Sequence, residues 1–153
     1  MNWLVAAYGL GGIFPPARQF MTTDFDRFVA VIRDVIGAHV AMHEALHRCD
    51  TVDADGDGVA AAVGIPLSVA AWVPARRGLP SAEPVDVDAA ARMRYLYHYL
   101  LVDSLRAGTF DPDLDGSGDE AHPEWLDASG APRPGWLGGQ HYFRPGVPGQ
   151  PPT

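Results

Sequence analysis

The sequence predicts an α/β fold in which two strands pair in a parallel sheet. Three observations support this fold class: a helical periodicity that ends near residue 48, an apolar run near residue 65 followed by a second helical periodicity, and another apolar run near residue 140. The order helix, strand, helix, strand requires right-handed crossover connections, and these produce parallel strands. A length of 153 residues corresponds to one domain.

The first helix is predicted from about Asp24 to about Arg48. Thr23 is a suitable N-cap, and Asp26 follows it three residues later, as in a capping box with the shorter acid. One stripe recurs at steps of three and four residues and predicts a buried helix face. Its members are Phe25, Phe28, Val29, Ile32, Val35, Ile36, His39, Met42 and Leu46.

The remaining elements follow from apolar runs and stop signals. Val63–Val73 is apolar nearly throughout, which is typical of a buried parallel strand, with Pro66 as its one contrary residue. A second helix is predicted from about Asp88 to Ala107, ended by Gly108. A long acidic loop then leads to a second strand at Trp136–Phe143.

The domain is predicted to span residues 1–143. Residues 144–153 are expected to form a disordered tail, because proline and glycine are too frequent there for a packed core.

Composition excludes several functional classes. All 11 basic residues are arginine, so no lysine is present for a Schiff base or a Walker loop. A net charge of -8 opposes binding to nucleic acid and to acidic membrane surfaces. Cys49 is the sole cysteine, which rules out an internal disulfide. The sequence has no apolar run of membrane-spanning length and no recognisable targeting signal, and it leaves the compartment open.

Residues 43–47 match the zinc-protease pattern H-E-x-x-H. On a helix, His43 and His47 lie on one face and could bind zinc while Glu44 activates a bound water. An ordinary helix with half-buried histidines explains the same pattern, because Leu46 places the apolar stripe beside them. The zinc site and the ordinary helix both remain open.

Two acidic segments carry the first half of a calcium-binding loop. The first contains Asp53, Asp55 and Asp57, and the second contains Asp111, Asp113 and Asp115, each followed by a glycine at position 6. The glutamate expected at position 12 is missing from both, where Gly64 and His122 stand instead. A structural calcium ion and an ordinary solvated turn both remain open for each segment.

Read in order, the elements resemble the middle of a glycoside hydrolase family 1 enzyme, the β-glucosidase and β-galactosidase type. Residues 1–16 are similar to the stretch that follows the family's Asn-Glu-Pro motif, and Val63-Gly64-Ile65 resembles the start of the fifth barrel strand. Trp136–Phe143 resembles the sixth strand, whose usual pattern is F-[IL]-G-[IV]-N-Y-Y-[ST]. The resemblance implies a partial (β/α)8 barrel, roughly strands 5 and 6 with the helices around them.

The resemblance also implies a sugar-binding role for part of the sixth strand. Tyr142 falls on the family tyrosine that bonds the nucleophile, while Gln140 and His141 replace the usual asparagine and tyrosine. Both catalytic glutamates of the family would lie outside this chain, so the resemblance implies an internal fragment, inactive alone, of a retaining enzyme that acts on β-glycosides. No cofactor is required beyond the possible structural calcium.

Three hypotheses therefore stand: an inactive glycosidase fragment, which is favoured, an H-E-x-x-H zinc metalloprotease, and a calcium-stabilised binding module without catalysis. The length of the chain corresponds to about three of the eight barrel strands, too few to close a barrel, so self-association through exposed sheet edges is also expected.

Overall fold

A computed structural model describes residues 25–149, except for the side chains of residues 25, 27, 28, 142 and 143. The residues that resemble the stretch after the Asn-Glu-Pro motif, and the predicted N-cap Thr23, lie outside this range. The helices are α1 (Phe25–Cys49), α2 (Pro84–Arg94) and α3 (Leu100–Ala107). The strands are β1 (Gly64–Ala70), β2 (Val73–Arg76), β3 (Leu79–Pro80), β4 (Thr109–Phe110), β5 (Glu120–Ala121), β6 (Trp136–Phe143) and β7 (Gly146–Val147).

Helix α1 confirms the first predicted helix. Its buried face consists of Val29, Ile32, Ile36, Val40 and His43. This face packs with β1 and α3 in one hydrophobic cluster, whose most buried large residues include Phe110 and Leu100. Met42 and Leu46 were predicted on the stripe, but both are exposed, so the buried face is narrower toward the end of the helix.

Strand β1 pairs in parallel with β6, which confirms the predicted parallel pair. The register runs from Gly64 opposite Trp136 to Val69 opposite His141, and a bulge after Val69 places Ala70 opposite Phe143. The predicted strand Val63–Val73 is not continuous. It breaks after Ala70, where the Trp72 N–H donates to the Ala70 carbonyl at 3.2 Å, and the chain resumes as β2.

The second predicted helix begins four residues earlier than expected and is not uniform. Pro84 opens α2, because proline is well suited to the first helical position. A π-helical segment, Tyr95–Tyr99, then joins α2 to α3. Gly108 ends α3 with φ 64°, a left-handed conformation that glycine adopts without strain.

The sheets are small, and the described residues contain no closed barrel. Besides the pair β1–β6, strand β2 lies between β3 and β7, and β4 pairs with β5 inside the predicted acidic loop. The structure therefore confirms a mixed α/β fold with one parallel strand pair. It does not confirm the predicted partial barrel. No helix in the described range is both long enough and apolar enough to cross a membrane.

The predicted tail, residues 144–153, includes strand β7 in the structure. Val73 and Pro74 of β2 pair in parallel with Gly146 and Val147 of β7. Gly149 approaches the backbone of Val85 so closely that an added Cβ would overlap it, so only glycine fits there. Residues 150–153 lie outside the described range.

The carboxylate of Asp86 holds the tail, the hairpin and the start of α2 together. It accepts two hydrogen bonds from Arg76, each 2.9 Å, one from the Ser81 hydroxyl at 2.5 Å, and one from the Gly149 N–H at 2.6 Å. The Arg76 guanidinium and the Ser81 hydroxyl lower the pKa of this fully buried carboxyl to about 2. A charged carboxylate is stable there because each oxygen has donors.

We expect Asp86→Asn to lower the melting temperature by roughly 5 °C or more, since the amide cannot accept all four hydrogen bonds. Because folding lowers the pKa of Asp86, its contribution is complete above the unfolded pKa near 4 and is lost as the pH falls toward 2. Thermal melts monitored by circular dichroism between pH 7 and 2 measure both effects. Asp88→Asn, an exposed acid on the same helix, is the matched control; equal melting temperatures for the two variants would refute the anchoring role.

Candidate functional site

The candidate site lies where the parallel strands β1 and β6 end. Ligands of open parallel sheets bind beyond the carboxyl ends of the strands. Ser68 stands opposite Gln140 and Val69 opposite His141 at this end. The side chains of Gln140 and His141 are exposed. The structure therefore brings two of the three predicted sugar-binding residues beside the end of β1, while the Tyr142 side chain lies outside the described residues.

The π-helical segment supplies two further side chains to the end of β1. The Tyr97 hydroxyl lies 3.2 Å from Ser68 Oγ, and the Ala70 N–H donates to His98 Nε2 at 3.0 Å. A π turn inserts an extra residue into the helix, which re-aims consecutive side chains, and such turns are frequent at functional sites. Tyr97 and His98 thereby fix the backbone where β1 breaks.

Aromatic contacts reinforce this corner. The Trp72 ring meets the Tyr97 ring edge to face at a centroid distance of 5.1 Å, and Tyr97 meets His98 in the same way at 5.3 Å. The sequence pattern predicted one continuous helix here and not the π turn. No local signal marks such a turn, because Tyr-Leu-Tyr-His-Tyr is compatible with an ordinary helix.

Carboxyl groups at this end do not form a catalytic pair. Between β1 and the end of α2, the acids are Glu83, Asp86 and Asp88, and the described residues after β6 include none. Asp86 is buried and ionised by its bonds to Arg76, and Glu83 and Asp88 are exposed. A retaining glycosidase needs an acid of raised pKa beside an ionised nucleophile.

The zinc pattern on α1 is not assembled as a metal site. The rings of His43 and His47 stack at 4.1 Å with an interplanar angle of 22°, so their in-plane nitrogen lone pairs do not converge on one point. His47 Nδ1 lies 3.0 Å from the His43 carbonyl oxygen, and Glu44 pairs with Arg133 at 2.8 Å. These three residues already have structural contacts, and no third ligand lies near them within the described range.

The first acidic loop is compact and exposed. One carboxylate oxygen of each of Asp53, Asp55 and Asp57 lies within 4.8 Å of the other two. Asp53 also accepts the backbone N–H groups of Gly56, Asp57 and Gly58, and the bond from Gly58 is the main cause of its lowered pKa. These bonds close the loop into a turn around the Asp53 carboxylate. Structural calcium at this loop stays a prediction of the sequence.

The second acidic loop differs, because its three aspartates do not come together. Asp111 is buried and accepts the Tyr95 hydroxyl and the Gly116 N–H, each at 2.6 Å. Asp113 and Asp115 are exposed, and Asp115 bonds to Ser117 N at 2.8 Å instead. In the part of the chain that the structure describes, Asp111, Asp113 and Asp115 do not form a cluster with metal-ligand spacing.

Comparison with solved structures identifies a similar fold. The crystal structure of the psychrophilic β-glucosidase BglU from Micrococcus antarcticus matches 95% of this chain with a TM-score of 0.55 and 21% sequence identity. The chain spans 29% of the length of that enzyme. No family model and no curated protein matches the sequence. The likeness therefore shows a fold shared with part of a β-glucosidase.

Protonation of the buried His43 and the half-buried His39 and His98 should destabilise the fold. Burial lowers the pKa of His98, and the nearby Arg94 adds to this effect; burial also lowers the pKa of His39 and His43. A group whose folded pKa lies below the unfolded value of about 6.5 contributes stability above that value and loses it as the pH falls further. We therefore expect the urea midpoint to decrease between pH 7 and pH 5.

His98→Gln tests the share of His98 in this pH dependence. Glutamine keeps a hydrogen-bond acceptor but does not titrate, so the decrease between pH 7 and 5 should become smaller without disappearing, since His39 and His43 remain. His141→Gln, which changes an exposed histidine of β6, is the control. An unchanged pH dependence in His98→Gln would contradict the role of the Ala70–His98 bond.

Proposed function

We propose that this chain forms a sugar-binding wall of a β-glycosidase-type fold and does not hydrolyse glycosides by itself. The observation that carries the proposal is the pairing of β1 with β6, which places Ser68, Gln140 and His141 at one end of a parallel sheet. The same end of the sheet carries active sites in barrel enzymes. The fold shared with part of a β-glucosidase agrees with this placement.

The chemistry of the corner supports a carbohydrate ligand. Gln140 and His141 offer exposed amide and imidazole groups that can bond to sugar hydroxyls. The half-buried Trp72 packs against Tyr97 at the break that follows β1. A few polar groups that orient a ligand are typical of small-molecule sites.

The absence of a matched carboxyl pair in the described residues supports the inactive part of the proposal. Asp86 is held in its ionised form, since its pKa is about 2, and is therefore unsuited to general acid catalysis. The full glycosidase reaction would require carboxylates that the candidate site does not supply.

We expect no turnover of aryl β-glucoside or β-galactoside substrates by the purified chain beyond that of a heat-treated control. Release of nitrophenol, followed over hours at high protein concentration, measures this. Turnover that is lost in Glu83→Gln or Asp88→Asn would contradict the inactive assignment, because these are the exposed acids nearest the site in sequence.

Binding is tested separately by titration with β-glucosides in heteronuclear NMR. We expect saturable shifts at residues 68–72 and 140–141, reduced in the double variant Gln140→Ala/His141→Ala. A control variant, Ala41→Ser on the exposed face of α1, should leave them unchanged. Failure to observe any saturable shift in the wild-type chain would refute the sugar-binding wall.

A further inference from the structure

The two strands of the β1–β6 sheet have outer edges of opposite character. Among the described residues the sheet contains these two strands alone, so each has one edge without a strand partner. Unpaired edges present rows of N–H and C=O groups that can add another strand. The side to which the N–H and C=O groups of each residue point determines which of the two edges can pair with another strand.

The outer edge of β1 is blocked by proline. The register with β6 runs without a shift from Gly64 to Val69, and Pro66 within it has no N–H to donate to β6. Because backbone polar groups alternate along a strand, this register directs those of Ile65 and Leu67 toward β6 and those of Pro66 outward. Pro66 has no N–H, and its ring occupies the position of the missing hydrogen.

The outer edge of β6 is open. The register sets Ile65 opposite Leu137 and Leu67 opposite Gly139. In a parallel pair, a residue of one strand hydrogen-bonds to the two residues that flank its register partner on the other strand. The register partners themselves do not bond to β1. Leu137, Gly139 and His141 therefore direct their N–H and C=O groups to the outer edge. All three residues are exposed.

Strand β6 contains neither the charged residues nor the prolines that protect an edge strand, and its bulge lies only near its end, after His141. Trp136–Phe143 includes no proline and no lysine, arginine, aspartate or glutamate. Trp136 and Leu137 keep 48% and 53% of their surface exposed. Leu137 also lines an apolar cavity of about 260 Å³ with Val102, Leu105 and Pro132. Natural edge strands that stay unpaired normally carry charges, prolines or bulges.

We propose that β6 is a self-pairing edge that joins two copies of this chain in an antiparallel sheet across a two-fold axis. The axis passes between Gly139 of one copy and Gly139 of the second, which places Leu137 opposite His141 of the other copy. The paired strands then cover Leu137 and the apolar cavity beside it.

The two edges favour a second copy of this chain as the strand that pairs with β6. Strand β6 is uncharged except for the titratable His141, so it meets itself without the like-charge contacts that a net charge of -8 would otherwise impose. Pro66 prevents β1 of one copy from pairing with β6 of another, which would form open-ended chains of copies. The assembly therefore closes at two, and added salt should strengthen it by screening the remaining repulsion.

Analytical ultracentrifugation of the full chain tests the pairing. We expect a monomer–dimer equilibrium in the wild type that Gly139→Pro weakens at least tenfold, which is about 1.4 kcal/mol. Gly139→Ala is the matched control, because an added Cβ meets Val69 at an ordinary 3.6 Å while the N–H is kept. A monomeric wild type, larger assemblies, or equal dimer constants in the two variants would overturn the proposal.

Cross-linking tests the register and remains informative if Gly139→Pro misfolds. In a Cys49→Ser background, Gly139→Cys should form a disulfide-linked dimer with oxidised glutathione, since hydrogen-bonded antiparallel partners lie about 5.5 Å apart at Cα. His141→Cys should not, because the two copies of residue 141 lie four positions apart along the paired strands. Equal cross-linking at both positions would overturn the two-fold register. Neither experiment depends on sugar binding, so its outcome is distinguishable from that of the proposed function.

Discussion

The parallel pairing of β1 with β6 is the constraint on which the rest of the structure depends. Parallel strands cannot be joined by a tight turn, so the chain between them must cross over, and α2, the π turn and α3 form that crossover. The crossover and α1 cover one side of the pair, which is why the hydrophobic cluster gathers residues from both helices around Ile65 and Leu67. The Asp86 carboxylate accepts four hydrogen bonds, and these join the hairpin, the start of α2 and the segment that contains β7.

The sequence predicted the elements that periodicity and composition determine. Helix α1 and strand β6 follow directly from their apolar patterns, and Gly108 ended the second helix as expected. The break after Ala70 and the pairing of β7 were not predicted, because both depend on contacts with distant residues. Asp86 illustrates the reason: its partners are 5, 10 and 63 positions away in sequence, and no local pattern marks it as an anchor.

The candidate site shows the same division between local and distant information. Gln140 and His141 were predicted from a resemblance, and the register of β1 with β6 determines their place beside Ser68. The two calcium-like segments have the same spacing but different structures. In the first segment, Asp53 accepts hydrogen bonds from backbone N–H groups of its own loop. In the second, Asp111 accepts a hydrogen bond from the Tyr95 hydroxyl and does not cluster with the other two aspartates. Spacing alone could not separate them, because a half-buried tyrosine 16 positions away decides the outcome.

Pro66 bears on how this chain relates to a barrel. In a closed barrel every strand pairs on both edges, so a strand at the position of β1 needs an N–H donor on each side. Proline removes one donor on the outer side, at a net cost of about 0.5–1.5 kcal/mol for the lost bond and more if a facing carbonyl is left buried without a partner. On the other strand, β6 carries Gly139 and His141 with donors intact. The fold is thus similar to part of a β-glucosidase, but its two edges are unequal, and the intact edge is the one from which the sheet can grow.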